Sequence, residues 1–147
     1  MEKMKPQTYA THRRWEPLFH FFALPVLVLI FPAWSIVHLY RHYPAPQSFV
    51  FLVFAFAIAV LAVYARVFAL RVQDRLIALE ERLRLERALS PDARATAAQL
   101  TDDQLIGLRF ASDEEVAGLV AAACAEKLTR EQIKKRVKSW RPDYRRA

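Results

Sequence analysis

The sequence has two glycines and one cysteine among 147 residues. So little glycine leaves no phosphate-cradling loop, and a single cysteine excludes a disulfide scaffold. The same composition excludes collagen-like repeats and a low-complexity disordered chain. Acid is missing over one long stretch. No Asp or Glu occurs between Glu16 and Asp74, a gap of 57 residues in which only Arg41, Arg66 and Arg71 are charged. The remainder is densely charged. The mean hydropathy of +0.06 is therefore an average over two chemically different parts, which excludes one soluble globule of uniform composition.

What fills the gap is apolar. Leu18 to Tyr40 gives 23 residues without a charge, and Gln47 to Ala65 gives 19 more. A bilayer core about 30 Å thick needs roughly 20 helical residues, so each run is long enough to span. Two segments cannot close a barrel, so helices are predicted. The first run exceeds the 7–15-residue apolar region of a signal peptide, and no small-residue cleavage motif follows it. The connection, Arg41-His-Tyr-Pro-Ala-Pro46, is short and its prolines break helices, which predicts an antiparallel hairpin.

Lys3, Lys5, Arg13 and Arg14 precede the first run; Arg66, Arg71, Arg75, Arg82 and Arg84 follow the second; Arg41 alone lies between them. Nine basic residues against one predict both termini in the cytoplasm. Trp15, Tyr40, Tyr43 and Tyr64 fit interfacial aromatic belts. Pro25 and Pro32 lie seven apart and predict a bent first helix. In the second, Ala55, Ala59, Ala62 and Ala69 form a small-residue face for helix packing, opposite a bulkier stripe of Phe49, Val53, Phe56, Val60, Val63 and Val67.

The second helix is expected to continue past the apolar run, because 66–89 contains no Gly or Pro and is rich in Leu, Arg, Glu and Ala. Val72, Leu76, Leu79 and Leu83 make a heptad-like seam about two heptads long. The seam is expected to pack on the small helices that follow, with self-association as the alternative. Glu80 and Arg84 sit at i,i+4. Ser90-Pro91, Thr101-Asp-Asp-Gln104, Ser112-Asp-Glu-Glu115 and Thr129-Arg-Glu-Gln132 are helix starts. They predict helices at about 91–98, 102–109, 113–126 and 130–139. Leu105, Ile106, Leu108, Phe110, Val116, Leu119, Val120, Leu128, Ile133 and Val137 are the expected core.

Residues 127–147 hold nine Lys or Arg and two acids, which accounts for the whole formal charge of +7. Lys134, Lys135, Arg136, Lys138, Trp140 and Arg141 are the candidate site for anionic lipid or an acidic partner. A solvated face on a docked helix is the other reading, and no motif supports nucleic-acid binding. Of His12, His20, His38 and His42, the pair His38–His42 shares a helix face and could ligate a metal or haem iron, but no third ligand accompanies it. Cys124 has no cysteine partner, and Asp113-Glu114-Glu115 suits the first turn of a helix. No nucleophile–base arrangement appears. Enzyme activity, a cofactor and a metal site are not expected.

Three stretches, Gln73 to Arg87, Leu100 to Glu115 and Ile133 to Tyr144, together with Trp15-Glu-Pro-Leu-Phe-His20, resemble a bacterial family of small two-span membrane proteins of unknown function. Some members carry the description ABC transporter permease, although two spans without a coupling motif do not make a permease. The resemblance implies the bacterial cytoplasmic membrane and no established catalytic residues.

The expected protein is thus an all-α membrane protein. Residues 1–16 are a cytoplasmic N-terminal segment and 17–70 a transmembrane helical hairpin. Residues 71–89 are a juxtamembrane stalk, and 90–147 a small cytoplasmic helical domain with a basic end. The expected function is a non-enzymatic membrane scaffold or accessory subunit. It would self-associate as a homo-oligomer or dock on a larger membrane complex. The alternatives are a multi-copy channel or transporter component and a haem- or pigment-binding subunit.

Overall fold

The structure, a computed structural model, describes Thr8, Tyr9 and residues 18–142. The expectations for Lys3, Lys5, His12, Arg13, Arg14, Trp15 and Tyr144 lie outside the described residues. Every regular element among the described residues is a helix: α1 (Leu18–Arg41), α2 (Pro46–Ala88), α3 (Pro91–Ala97), α4 (Asp102–Leu108), α5 (Val116–Ala125) and α6 (Arg130–Arg136). One isolated antiparallel bridge joins Ala111 and Trp140. The chain forms two compact units divided between Arg71 and Val72.

In the first unit, α1 pairs with the early part of α2. Two segments of α1, Leu18–Ala23 and Val26–Ile30, are wound in wide π turns, in which the Phe31 N–H reaches back to the Val26 carbonyl. Pro25 between them has no N–H to give, and Pro32 follows, so the i→i−4 ladder is interrupted where the sequence places proline. Pro46 opens α2 as its first residue, where a missing N–H costs nothing. Both helices are long and apolar enough to cross a membrane.

The second unit is a small helical core closed by the last four turns of α2. All ten residues expected to form that core are buried, and Ile77, Ala78 and Leu85 of the α2 end, with Leu89 just past it, join them. The seam residues Val72, Leu76, Leu79 and Leu83 stay exposed. The face that packs on the small helices is therefore its neighbour on the same helix, not the seam.

Two capping boxes form. Thr101 and Thr129 each accept the N–H of the residue three positions on, while Gln104 and Gln132 return a carbonyl oxygen to the Thr N–H. Gln104 also donates its amide to the carbonyls of Ala123 and Leu128, which ties the start of α4 to the end of α5. Gly107 lets α4 and α6 approach closely, since a Cβ there would stand 3.1 Å from the Arg130 carbonyl oxygen and 3.2 Å from Ile133 Cβ.

The Ser112 start differs from expectation, and α5 begins at Val116 rather than 113. Glu115 reaches the Ser112 N–H only at 3.5 Å and spends its carboxylate on the N–H groups of Lys138 and Ser139, at 3.1 Å each. The last helix ends at Arg136 rather than 139. Val137 turns extended, and Trp140 crosses to Ala111 and packs tilted against Phe110 with ring centroids 4.7 Å apart.

Candidate functional site

Three places carry groups that could act: the face between the first two helices, the charged cleft along the end of α2, and the basic end.

On the first of these, small side chains are buried. Ser35 and Pro32 of α1 and Ser48, Ala55 and Ala59 of α2 are inside, Ala62 is half-buried and Ala69 is exposed. Ser48 lies on the stripe that meets α1, since its hydroxyl is hydrogen-bonded to His38 Nδ1 at 3.0 Å. Ser35 returns its hydroxyl to the Phe31 carbonyl at 2.8 Å, which satisfies it within its own helix. The bulky residues Phe49, Val53, Phe56, Val60 and Val63 point outward. Small-in and large-out is the reverse of a water-soluble helix pair and the arrangement that lets helix backbones approach in lipid.

At the tip of this unit, His38 and His42 stack at 4.3 Å. His42 Nδ1 donates to the His38 carbonyl at 3.1 Å, and His38 Nδ1 is engaged with Ser48. Trp34 and Phe51 flank the His38 ring. The stacked imidazoles thus serve the turn and the helix–helix contact. No group of three or more metal-ligating side chains occurs among the described residues.

The second place is a cleft of about 930 Å³ along residues 73–88. Glu80, Glu81, Asp113, Arg84, Arg87, Arg109 and Arg141 supply its charges. Arg84 is its centre. Its Nη1 donates to Glu81 at 2.7 Å, its Nε and Nη2 hold Asp113 at 2.8 and 2.6 Å, and Nη2 also reaches the Ala111 carbonyl at 2.7 Å. The sequence suggested Glu80 as the partner of Arg84; Glu81, one residue on and buried, takes that place. Burial pushes the Glu81 carboxyl above the usual carboxylate range, against the pull of Arg84. Hydrogen bonds from Arg84 hold Asp113 below it. A guanidinium with its N–H groups shared among two carboxylates and a carbonyl is a clamp between α2 and the 111–113 turn, not a substrate-binding arm.

A family profile described as a family of unknown function, DUF6526, matches residues 4–147. The chain belongs to this family. No curated protein and no solved structure matches it. Membership in DUF6526 attaches no activity to any residue.

The third place, the basic end, does not form one surface. Lys134 is buried, donates to Glu131 at 2.8 Å and stands 5.9 Å from the Phe110 ring centroid. Burial lowers its pKa, and Glu131 opposes that. Arg136 is bound through both Nη atoms to Glu126, at 2.7 and 2.6 Å. Trp140 is half-buried on Phe110, and the Arg141 backbone N–H donates to the Phe110 carbonyl at 2.8 Å. Lys135 lies 5.9 Å from the Tyr9 ring, and Lys138 is exposed. Lys134 and Arg136 are thus paired within the helical unit, a role that the charge count alone conceals.

Glu81 offers a pH test. Its folded pKa is raised, so its contribution to stability is full below the ordinary carboxylate value and is lost as pH rises through the higher folded one. Neutral Glu81→Gln keeps an oxygen for Arg84 and escapes that loss. We expect the variant to melt above the wild type at pH 7 and the difference to vanish below pH ~4. A difference that is constant across a pH series of melting curves would refute the assignment.

Proposed function

We propose that the chain is a non-enzymatic integral membrane scaffold or accessory subunit. In this reading α1 and the early part of α2 span the bacterial cytoplasmic membrane as a hairpin, with both termini in the cytoplasm. The helical unit of residues 72–142 is then cytoplasmic. The observation that carries the proposal is the reversed packing of the hairpin. Only 11% of the apolar window in α1 and 17% of that in α2 are buried, whereas a soluble core helix is mostly buried. Phe21, Phe22, Leu29, Ile30, Phe54 and Leu61 all point outward, an apolar surface that a soluble monomer rarely exposes. The contacts of Trp34 and His38 with Ser48 and Phe51 favour a retained helix over a cleaved leader. The excess of Lys and Arg outside the connection favours the cytoplasmic orientation. His38 is spent on the turn, which favours a packing role over a conduction path or a haem ligand.

Two measurements test the proposal. After alkaline carbonate washing, the full chain should stay in the membrane pellet; release into the supernatant would overturn the membrane reading. Native mass spectrometry after gentle detergent extraction should then find it bound to another polypeptide, its own or a different one. A strict monomer would overturn the scaffold reading.

A further inference from the structure

Residues 72–88 of α2 carry two apolar stripes, and the fold uses one. Ile77, Ala78 and Leu85 are buried in the core, while Val72, Leu76, Leu79 and Leu83 remain 66%, 54%, 54% and 46% exposed. In heptad terms Leu76 and Leu83 are a positions, and Val72 and Leu79 are d positions. The buried Ile77, Ala78, Glu81 and Leu85 fall at b, c and f, the side away from that seam. Among the described residues the small helices thus occupy the back of the helix, and Leu76, Glu80 and Leu83 line the open cleft whose far wall is Arg109, Asp113 and Arg141.

We infer that α2 pairs, parallel and in register, with α2 of a second copy of this chain along Val72, Leu76, Leu79 and Leu83. The inference rests on the proposed membrane anchorage, because two chains leaving one bilayer run in the same direction. Charge selects the same arrangement. Arg75 at g and Glu80 at e are exposed, and neither has an ion-pair partner among the described residues. A parallel pair sets each Arg75 beside Glu80 of the second copy, twice by symmetry. An antiparallel pair would set Glu80 beside uncharged Gln73 and Arg75 beside Arg82, so neither would gain an opposite charge. The next g–e pair of the parallel arrangement, Arg82 with Arg87, is relieved because Arg82 is turned to Asp102 at 2.7 Å. Glu86 at the following d position ends the seam. Two heptads are few for a soluble coiled coil. Tethering in a membrane adds the effective concentration that they need.

The test uses the full chain in membranes, in a Cys124→Ser background. Val72→Cys and Leu79→Cys should each form a disulfide-linked dimer under mild oxidation, with a yield about tenfold above that of exposed Asp92→Cys on α3. An antiparallel pair would link at most near the middle of the seam, so failure at Val72→Cys overturns the parallel register. In uncrosslinked chains, Arg75→Glu and Glu80→Arg should each weaken the dimer by about tenfold, and the double variant should recover it. No recovery overturns the proposed pairing. Release from membranes by carbonate counts against the anchorage alone. A membrane-bound chain whose seam cysteines do not crosslink overturns the seam and leaves the anchorage standing.

Discussion

Replacing Arg84 with methionine is expected to destabilise the unit of residues 72–142 by about 3–5 kcal/mol, the cost of leaving a buried charge without its partner. Glu81 is almost fully enclosed, and Arg84 is the cation that donates to it. Methionine keeps the apolar stem and removes every N–H. The Glu81 carboxylate must then take up a proton or pull water into the core, and the Ala111 carbonyl loses a donor as well. Asp113 loses its partner too, but it is solvated and adds little. A domain is typically stable by only about 5–15 kcal/mol, so the single change removes a large share. Amide exchange over residues 102–136 of the full chain should accelerate accordingly. The double variant Arg84→Met/Glu81→Leu discriminates, because replacing a buried ion pair by apolar groups is often neutral or stabilising. It should restore most of the protection. If the single variant exchanges like the wild type, Arg84 does not clamp α2 to the 111–113 turn.

Much of this arrangement is legible in the sequence where cause and effect are close along the chain. The capping boxes at Thr101 and Thr129 need only partners three residues apart, and both form. The ten core residues follow from apolar spacing between helix starts. Legibility ends where a distant group competes. Ser112-Asp-Glu-Glu115 has the same pattern as the working boxes, yet the N–H groups of Lys138 and Ser139 claim the Glu115 carboxylate from 23 and 24 residues away. The basic run misleads for a related reason. A buried lysine beside Glu131 and Phe110 counts the same in a charge sum as a solvated one.

The α2 extension is the sharper case. The spacing of Val72, Leu76, Leu79 and Leu83 is the more regular of its two apolar stripes, and regularity alone points to it as the buried face. The fold buries Ile77, Ala78 and Leu85 instead. Periodicity registers both stripes and cannot rank them. Polar contacts accompany the buried stripe, since in this orientation Arg84 reaches Glu81, Asp113 and the Ala111 carbonyl together.

Phe110→Ala is expected to cost about 3–5 kcal/mol, and its consequence is more specific than lost stability. Phe110 is the largest fully buried side chain among the described residues, and several parts of the unit converge on it. Trp140 packs tilted against the ring, and the Arg109 guanidinium lies 4.4 Å from its centroid. Its carbonyl accepts the Arg141 N–H, and the neighbouring Ala111 bridges to Trp140. Truncation empties the space under Trp140, and a cavity of that size collapses only partly in a close-packed core. Segment 137–142, which reaches the core through these contacts, should detach before the helices do. Tryptophan fluorescence reports this directly once Trp15 and Trp34 are replaced by phenylalanine, leaving Trp140 as the one tryptophan of three. Phe110→Ala should shift its emission to the red at temperatures where α4 to α6 are still helical. Phe110→Leu keeps most of the volume, should cost about 1–1.5 kcal/mol and should hold the emission near the wild-type position. An unshifted spectrum in the alanine variant would show that Trp140 is held by something other than this ring.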